Sequence, residues 1–290
     1  MSIWAVTTTV HSDSYPYIDP LKADLKGKSV FVTGASRGIG RSIAIAFAVA
    51  GCSRIGVAAR GSLAGVEADI ISAAVAARGT KPEILLINMD LVSEESVKEA
   101  AVTVSQMFGG VLDVLVNNAG DSESPSKIGD MKADTSEWWK TMEVNIRGIY
   151  LTCHHFLPII LNSNSKTIIN LTSGAAAVLS GLASAYGTSK LAACRLTEFL
   201  DVLYCKEGLV SYALEPGAVQ TDLAEKLHPD FRGYLTDKAE LAAHTAVWLV
   251  GNGGKWLSSR YISSKWDMEE LEKRKEEIVE KDLFTFRLTL

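Results

Sequence analysis

Tyr186 and Lys190 stand four residues apart in Tyr186-Gly187-Thr188-Ser189-Lys190, and Ser173 lies thirteen residues before the tyrosine. On a helix, positions i and i+4 share a face, so the phenol and the ammonium can act as a pair. An ammonium near a phenol stabilises phenolate and lowers the tyrosine pKa, which would suit Tyr186 to give or take a proton near neutral pH. The same spacing is compatible with an ordinary helix start, so its meaning depends on the elements that position it.

The first of these elements is a glycine-rich turn. Thr33-Gly34-Ala35-Ser36-Arg37-Gly38-Ile39-Gly40 follows an apolar run and opens a helical pattern. Glycines there allow a tight turn and close approach of backbone to a pyrophosphate, while the helix N-terminus offers N–H groups and a positive dipole end. The spacing is GxxxGxG rather than GxGxxG, and its place between a strand and a helix points to a dinucleotide held by Gly34, Ser36, Arg37, Gly38, Ile39 and Gly40. NAD binders usually place a carboxylate at the end of the second strand for the ribose 2′-hydroxyl. Here that strand ends Val57-Ala58-Ala59-Arg60. Two guanidiniums, Arg37 and Arg60, can grip a 2′-phosphate that an Asp would repel, so NADP(H) is expected over NAD(H). Asp90 and Leu91 after the third strand, and Asn117, Ala119 and Gly120 after the fourth, are further candidate cofactor contacts at the carboxyl edge of a sheet.

Apolar runs alternate with longer helical patterns through most of the 290 residues. Strands are expected at 29–33, 54–59, 83–88, 114–117, 166–171, 210–215 and 260–264. Helices are expected at 39–50, 93–108, 136–161, 185–206 and 238–250, among others. Such alternation predicts one α/β domain, a parallel sheet with helices on both faces joined by right-handed crossovers. Residues 1–26 read as an N-terminal leader, 27–266 as the catalytic domain and 267–290 as a C-terminal extension. In the extension, Glu269–Lys273, Glu270–Arg274 and Glu277–Lys281 predict an exposed helix, and alternation from Phe284 to Leu290 predicts a strand docked on a sheet edge or on another subunit.

Composition narrows the function classes. A net charge of −5 offers no general attraction for nucleic acid or anionic membranes. The apolar fraction is 47% and mean hydropathy +0.14, with no run long enough to span a bilayer, so a cytoplasmic location is expected. Cys52, Cys153, Cys194 and Cys205 lack any CxxC spacing and read as buried thiols, with neither a disulfide framework nor a metal site. Cys153-His154-His155 points its side chains in different directions on a helix, and the sequon at Asn170 lies in a buried strand.

Thr33-Gly34…Gly40, Asn117-Asn118-Ala119-Gly120, an Asn in the next helix, then Ser173 and the Tyr186…Lys190 pair together resemble the short-chain dehydrogenase/reductase family over residues 27–266. The resemblance implies a Rossmann-type, doubly wound seven-stranded parallel sheet in a three-layer α/β/α arrangement. It also implies a tetrad of Asn145, Ser173, Tyr186 and Lys190. In that tetrad Tyr186 is the general acid and Ser173 hydrogen-bonds the carbonyl oxygen. Lys190 binds the nicotinamide ribose and tunes the tyrosine, and Asn145 holds a water that replenishes the proton. Glu215-Pro216-Gly217-Ala218-Val219-Gln220-Thr221 resembles the family's Pro-Gly segment, implying nicotinamide contacts from Pro216, Gly217, Val219 and Thr221. The ending Arg260–Asp267, with the leader, resembles a fungal reductase subgroup tied to secondary metabolism.

The substrate expected is a mostly apolar ketone or secondary alcohol, bounded by residues 174–182 and by 222–236 with Leu223, Leu227, Phe231 and Tyr234. Three readings stand at this level: NADPH-dependent carbonyl reduction, alcohol oxidation in the same site, and a cofactor-binding protein turned to a non-redox step. A homodimer or homotetramer is implied through the helices carrying Asn145 and Tyr186, with Leu191, Leu196, Phe199, Leu200 and Leu203 as candidate interface positions.

Overall fold

Ser-Val-Phe-Val-Thr at 29–33 is buried along its whole length, as are the flanking strands at 114–117 and, past half-buried Arg54, at 54–59, which is the pattern of a parallel sheet covered on both faces. The computed structural model describes residues 5–179, 183–226, 233–251 and 254–288. In chain order its elements are β1 (Ser29–Thr33), α1 (Gly38–Val49), β2 (Arg54–Ala59), α2 (Val66–Arg78), β3 (Glu83–Asn88) and α3 (Glu94–Met107). There follow β4 (Val114–Asn117), α4 (Thr135–Met142), α5 (Gly148–Leu161), β5 (Thr167–Leu171) and α6 (Ser184–Tyr204). The last are β6 (Val210–Glu215), α7 (Ala239–Gly251), β7 (Tyr261–Ser263), α8 (Met268–Lys273) and α9 (Lys275–Glu280).

All seven strands are parallel in the order β3-β2-β1-β4-β5-β6-β7. One face packs on α1, α2 and α7, through residues such as Phe47, Ile70 and Trp248. The other packs on α3, α5 and α6, through Val104, Phe156 and Leu200. The chain leaves β1 for β2 and β3, then returns to the other side of β1 at β4. That reversal opens a crevice above the carboxyl ends of β1 and β4, where an open α/β sheet binds ligands.

The stretch expected as one helix over 136–161 is broken. A π-helical turn at Glu143–Arg147 separates α4 from α5, with the Gly148 N–H donating to Glu143 O. The wider turn places Asn145 inward, fully buried, as π-turns in helices frequently do at functional positions.

The two chain ends clasp each other. Val10 bridges Trp266 in antiparallel fashion, His11 Nε2 lies 2.8 Å from Asp267, and Tyr17 hydrogen-bonds Glu272. The C-terminal helix is two short helices, α8 and α9. The Glu269–Lys273 and Glu277–Lys281 pairs form at 2.9 and 3.3 Å, but Glu270–Arg274 does not. Glu270 instead accepts the Thr8 and Thr9 N–H groups, and Arg274 donates to Val6 O, because backbone groups of the leader compete for both side chains. Among the described residues, 284–288 are not a strand. They dock against β7 with the Tyr261 N–H donating to Phe284 O at 2.8 Å, while Phe284 and Phe286 pack on Trp266 and Tyr261. Thr289 and Leu290 lie outside the described residues.

Candidate active site

The Gly-rich turn works because of what it touches. Gly34 has φ +66°, and a Cβ there would come within 2.7 Å of Ala119 Cα, so the β1 and β4 loops close only around a glycine. A Cβ on Gly40 would lie 2.4 Å from Asn118 Nδ2, whose amide donates to the carbonyls of Thr33 and Gly34. These contacts hold the N-terminus of α1 open toward a cleft of about 440 Å³. Gly34, Ser36, Arg37, Gly38, Ile39 and Gly40 line it on one side. Arg60, Asp90, Leu91, Ala119, Gly120 and Thr221 complete it. The cleft has the donor set a pyrophosphate needs, and no carboxylate ends β2, where Ala59, Arg60 and Gly61 form the wall. The residues therefore fit a dinucleotide.

Several expected contacts differ in detail. Asn117 is buried beneath the cleft, its amide donating to Asn170 Oδ1 at 2.8 Å and its carbonyl accepting from Thr152. As the last residue of β4 it points into the sheet's helix layer, so Asn118 takes the place at the cleft that was expected of Asn117. Asp90 has one carboxylate oxygen accepting the Val92 N–H. Arg37 is paired with Asp222 at 2.8 Å across the cleft, and both side chains are exposed.

A second cavity, of about 330 Å³, adjoins the first through shared lining by Ile39, Thr221 and Leu223. Ser173 and Tyr186 line it, with Pro216, Gly217 and Val219 on the opposite wall. Gly174, Ala175, Val178, Ala183, Leu223, Ala224 and Tyr234 give it an apolar character. Leu179 points to solvent, and Ser180, Gly181, Leu182, Leu227, Phe231 and Arg232 lie outside the described residues. Lys226 is engaged, donating to Asp121 at 2.5 Å and to Ser122 O at 3.0 Å.

The tetrad residues converge. Ser173 follows β5, Tyr186 and Lys190 share a face of α6, and Asn145 comes from the π-turn. Burial pushes the Tyr186 phenol above its ordinary pKa, a hydrogen bond with Ser173 pulls it down, and the Glu215 charge adds to the rise. The expected lowering by Lys190 is absent: its Nζ donates to Leu171 O at 2.9 Å and sits 5.6 Å from the centre of the Tyr186 ring. Burial lowers the lysine itself to about 8, with nearby Cys194 acting in the opposite direction. Asn145 gives both amide hydrogens to the protein, to Asp121 O at 2.8 Å and Ser189 Oγ at 2.9 Å, and accepts the Asp121 N–H. Its side chain so holds the loop after β4.

Glu215, Glu123 and Ser189 were not picked out from sequence as site residues. Glu215 lines the second cavity, and burial pushes its carboxyl up to about 7 against hydrogen bonds from Ser263 and the Gly217 N–H. Its place directly before Pro216 was a signal in plain view. Three of the four cysteines are buried, but Cys205 is exposed at the end of α6. Asn170 is buried in β5, which removes it as a sequon. Among the described residues no cluster of His, Cys, Asp and Glu is placed to hold a metal, and no helix is long and apolar enough to cross a membrane.

A family profile described as short chain dehydrogenase matches residues 28–231. The chain is 44% identical over 280 residues to short chain dehydrogenase mpl6 of Monascus purpureus, covering 97% of this chain and 95% of the relative. It is 41% identical over 280 residues to short chain dehydrogenase pigC of Monascus ruber, covering 96% and 91%. A solved short chain dehydrogenase from Shigella flexneri, complexed with NADP, superposes with a TM-score of 0.73 over 84% of this chain and 99% of that one, and at 21% identity this is a likeness of fold. With a Gly-rich cleft fitted to a dinucleotide running into a Ser173–Tyr186 cavity, the chain belongs to the short chain dehydrogenase family and is an NAD(P)-dependent oxidoreductase acting on CH–OH or C=O groups.

Proposed function

We propose that the protein is an NADPH-dependent reductase of a mostly apolar small-molecule ketone, acting in fungal secondary metabolism, with the secondary alcohol as product. The observation that carries this reading is that Ser173 and Tyr186 line one apolar cavity that opens onto the dinucleotide cleft. The relatives from Monascus support the fungal setting. A cytoplasmic location, a homodimer or homotetramer, and residues 27–266 as the catalytic unit belong to the same reading.

When bound, the nicotinamide cofactor supplies the hydride for reduction. The Gly34–Gly40 turn and Asp90 would hold its adenosine and pyrophosphate end, and Lys190 its ribose. Val219 and Thr221 would hold the nicotinamide carboxamide. Arg60, at the end of β2, and Arg37 would grip a 2′-phosphate, Arg37 exchanging Asp222 for the stronger anion. Tyr186 is the general acid. Burial, the largest influence on its phenol, keeps it protonated at neutral pH, which is the state a proton donor needs and a base does not. Ser173 donates to the carbonyl oxygen as negative charge builds there, a contribution whose loss costs about 10²–10³ in rate at comparable sites. Gly174 and Ala175, both small and apolar, line the cavity beside Ser173 and leave room for a substrate.

The test is NADPH oxidation measured against a panel of aryl and alkyl ketones. Turnover of at least one apolar ketone, with carboxylated analogues poor, is the expected result. An absence of any carbonyl-dependent NADPH oxidation across the panel would reject the reading.

A further inference from the structure

Tyr186 lies in the first turn of α6, where backbone N–H groups have no partner within the helix. The residue at the N-cap is Ala183, which has no side-chain acceptor to give them. Glu123, in the loop after β4 and sixty-two residues before Ala185, supplies it. One carboxylate oxygen accepts the Ala185 N–H at 2.7 Å and the other accepts the Tyr186 N–H at 3.0 Å. Glu123 is 5% exposed, and among the described residues no lysine or arginine is paired with it. Its charge is met by the two N–H groups and the positive end of the α6 dipole.

The loop that carries Glu123 is itself fixed from two directions. Asn145 exchanges two hydrogen bonds with the backbone of Asp121, each of 2.8 Å, and Lys226 ties down Asp121 and Ser122. Asn145 also donates to Ser189 Oγ, and Ser189 donates to Tyr186 O at 2.8 Å. The backbone of Tyr186 is thus gripped at both ends, its N–H through Glu123 and its carbonyl through Ser189, and both routes lead back to Asn145 in the π-turn. Trp138 adds a bond to Ser184, from its indole N–H to the hydroxyl at 3.0 Å.

We propose that Glu123 is a positioning residue for the proton donor: its carboxylate fixes the first turn of α6 and so the reach of the Tyr186 phenol toward the carbonyl. The inference rests on the reading of Tyr186 as the general acid. Displacement of a reacting group by about 1 Å can cost about a hundredfold in rate, which is the scale on which such a brace matters.

Glu123→Gln tests it. The glutamine has nearly the same volume but one acceptor oxygen, and its amide group would face an N–H donor. The expected result is a fall in kcat for ketone reduction of about tenfold or more, with the Kd for NADPH, read by fluorescence titration, within about twofold of wild type. Glu123→Asp, which keeps the carboxylate on a shorter stem, should recover part of the lost kcat. Amide hydrogen exchange at Ala185 and Tyr186 should quicken in Glu123→Gln. A smaller loss of kcat, or an equal weakening of NADPH binding that marks a general structural defect, would overturn the proposal. If the wild-type protein reduces no ketone, it is the functional reading that has failed; unchanged exchange at Ala185 and Tyr186 would still count against Glu123 independently.

Discussion

Glu215 and Tyr186 face the same cavity, and each is moved off its ordinary pKa chiefly by burial. The Glu215 carboxyl, raised from 4.5 to about 7, binds its proton more tightly in the folded than in the unfolded chain. The stability it contributes is therefore present below pH 4.5 and lost as pH rises toward 7 and beyond. A shift of that size corresponds to about 3 kcal/mol at most. In Glu215→Gln this dependence should vanish while the Gly217 N–H keeps an acceptor. Denaturant unfolding of both proteins between pH 5 and 8 checks this: the variant should gain on wild type as pH rises, and parallel curves would refute the assignment. Cofactor choice also belongs to this scale. NADPH should bind about tenfold or more tightly than NADH, a gap of about 1.4 kcal/mol, and Arg60→Ala should erase most of it. Equal affinities, or a preference untouched in the variant, would defeat the two-arginine argument. The residues legible in the sequence, Ser173, Tyr186, Lys190 and the glycines, are those whose chemistry or backbone freedom is tied to a short local pattern. Glu123 and Asn118 escaped notice because their partners, α6 and the Gly34 carbonyl, are distant in sequence and adjacent only once the loops after β1 and β4 have closed.

At the scale of elements, the seven strands were readable because each is a short apolar run bounded by polar turns, and a parallel sheet buries both faces. The π-turn at 143–147 was not, since it adds a residue to a helix without changing the apolar pattern around it. The C-terminal segment docks on the sheet edge, one of the two places expected of it, but over the described residues it is not a strand. Phe284 and Phe286 do meet the sheet edge, but a single backbone bond at Tyr261 replaces a ladder, while Arg195 and Glu198 of α6 engage the backbone of Phe286. A chain ending at Asp282 should lose the packing of two aromatic rings and about 3 kcal/mol of stability. Thermal melting reads the loss, and an unchanged transition would show that the segment contributes nothing to the sheet edge.

At the scale of the molecule, the leader and the C-terminal helices form one clasp across α7 and β7, with Ser14 bonded to His244 and Lys238 N–H donating to Ser12 O. The surface expected for assembly lies on α6. Of the α6 positions expected at an interface, Leu200 is buried and Leu196 packs partly into the core. Leu191, Phe199 and Leu203 are exposed, as is Val202. Light scattering should give a dimer or tetramer, reduced to monomer in a Phe199→Asp, Leu203→Asp double variant; a monomeric wild type would end that reading. Everything proposed for the site turns on Tyr186 giving the proton. Its most direct test is Tyr186→Phe, assayed with the best ketone found for the wild type. The variant's kcat should fall by about a hundredfold or more with NADPH affinity within about twofold, since the ring and its packing remain. Turnover undiminished without the phenolic hydroxyl would contradict it.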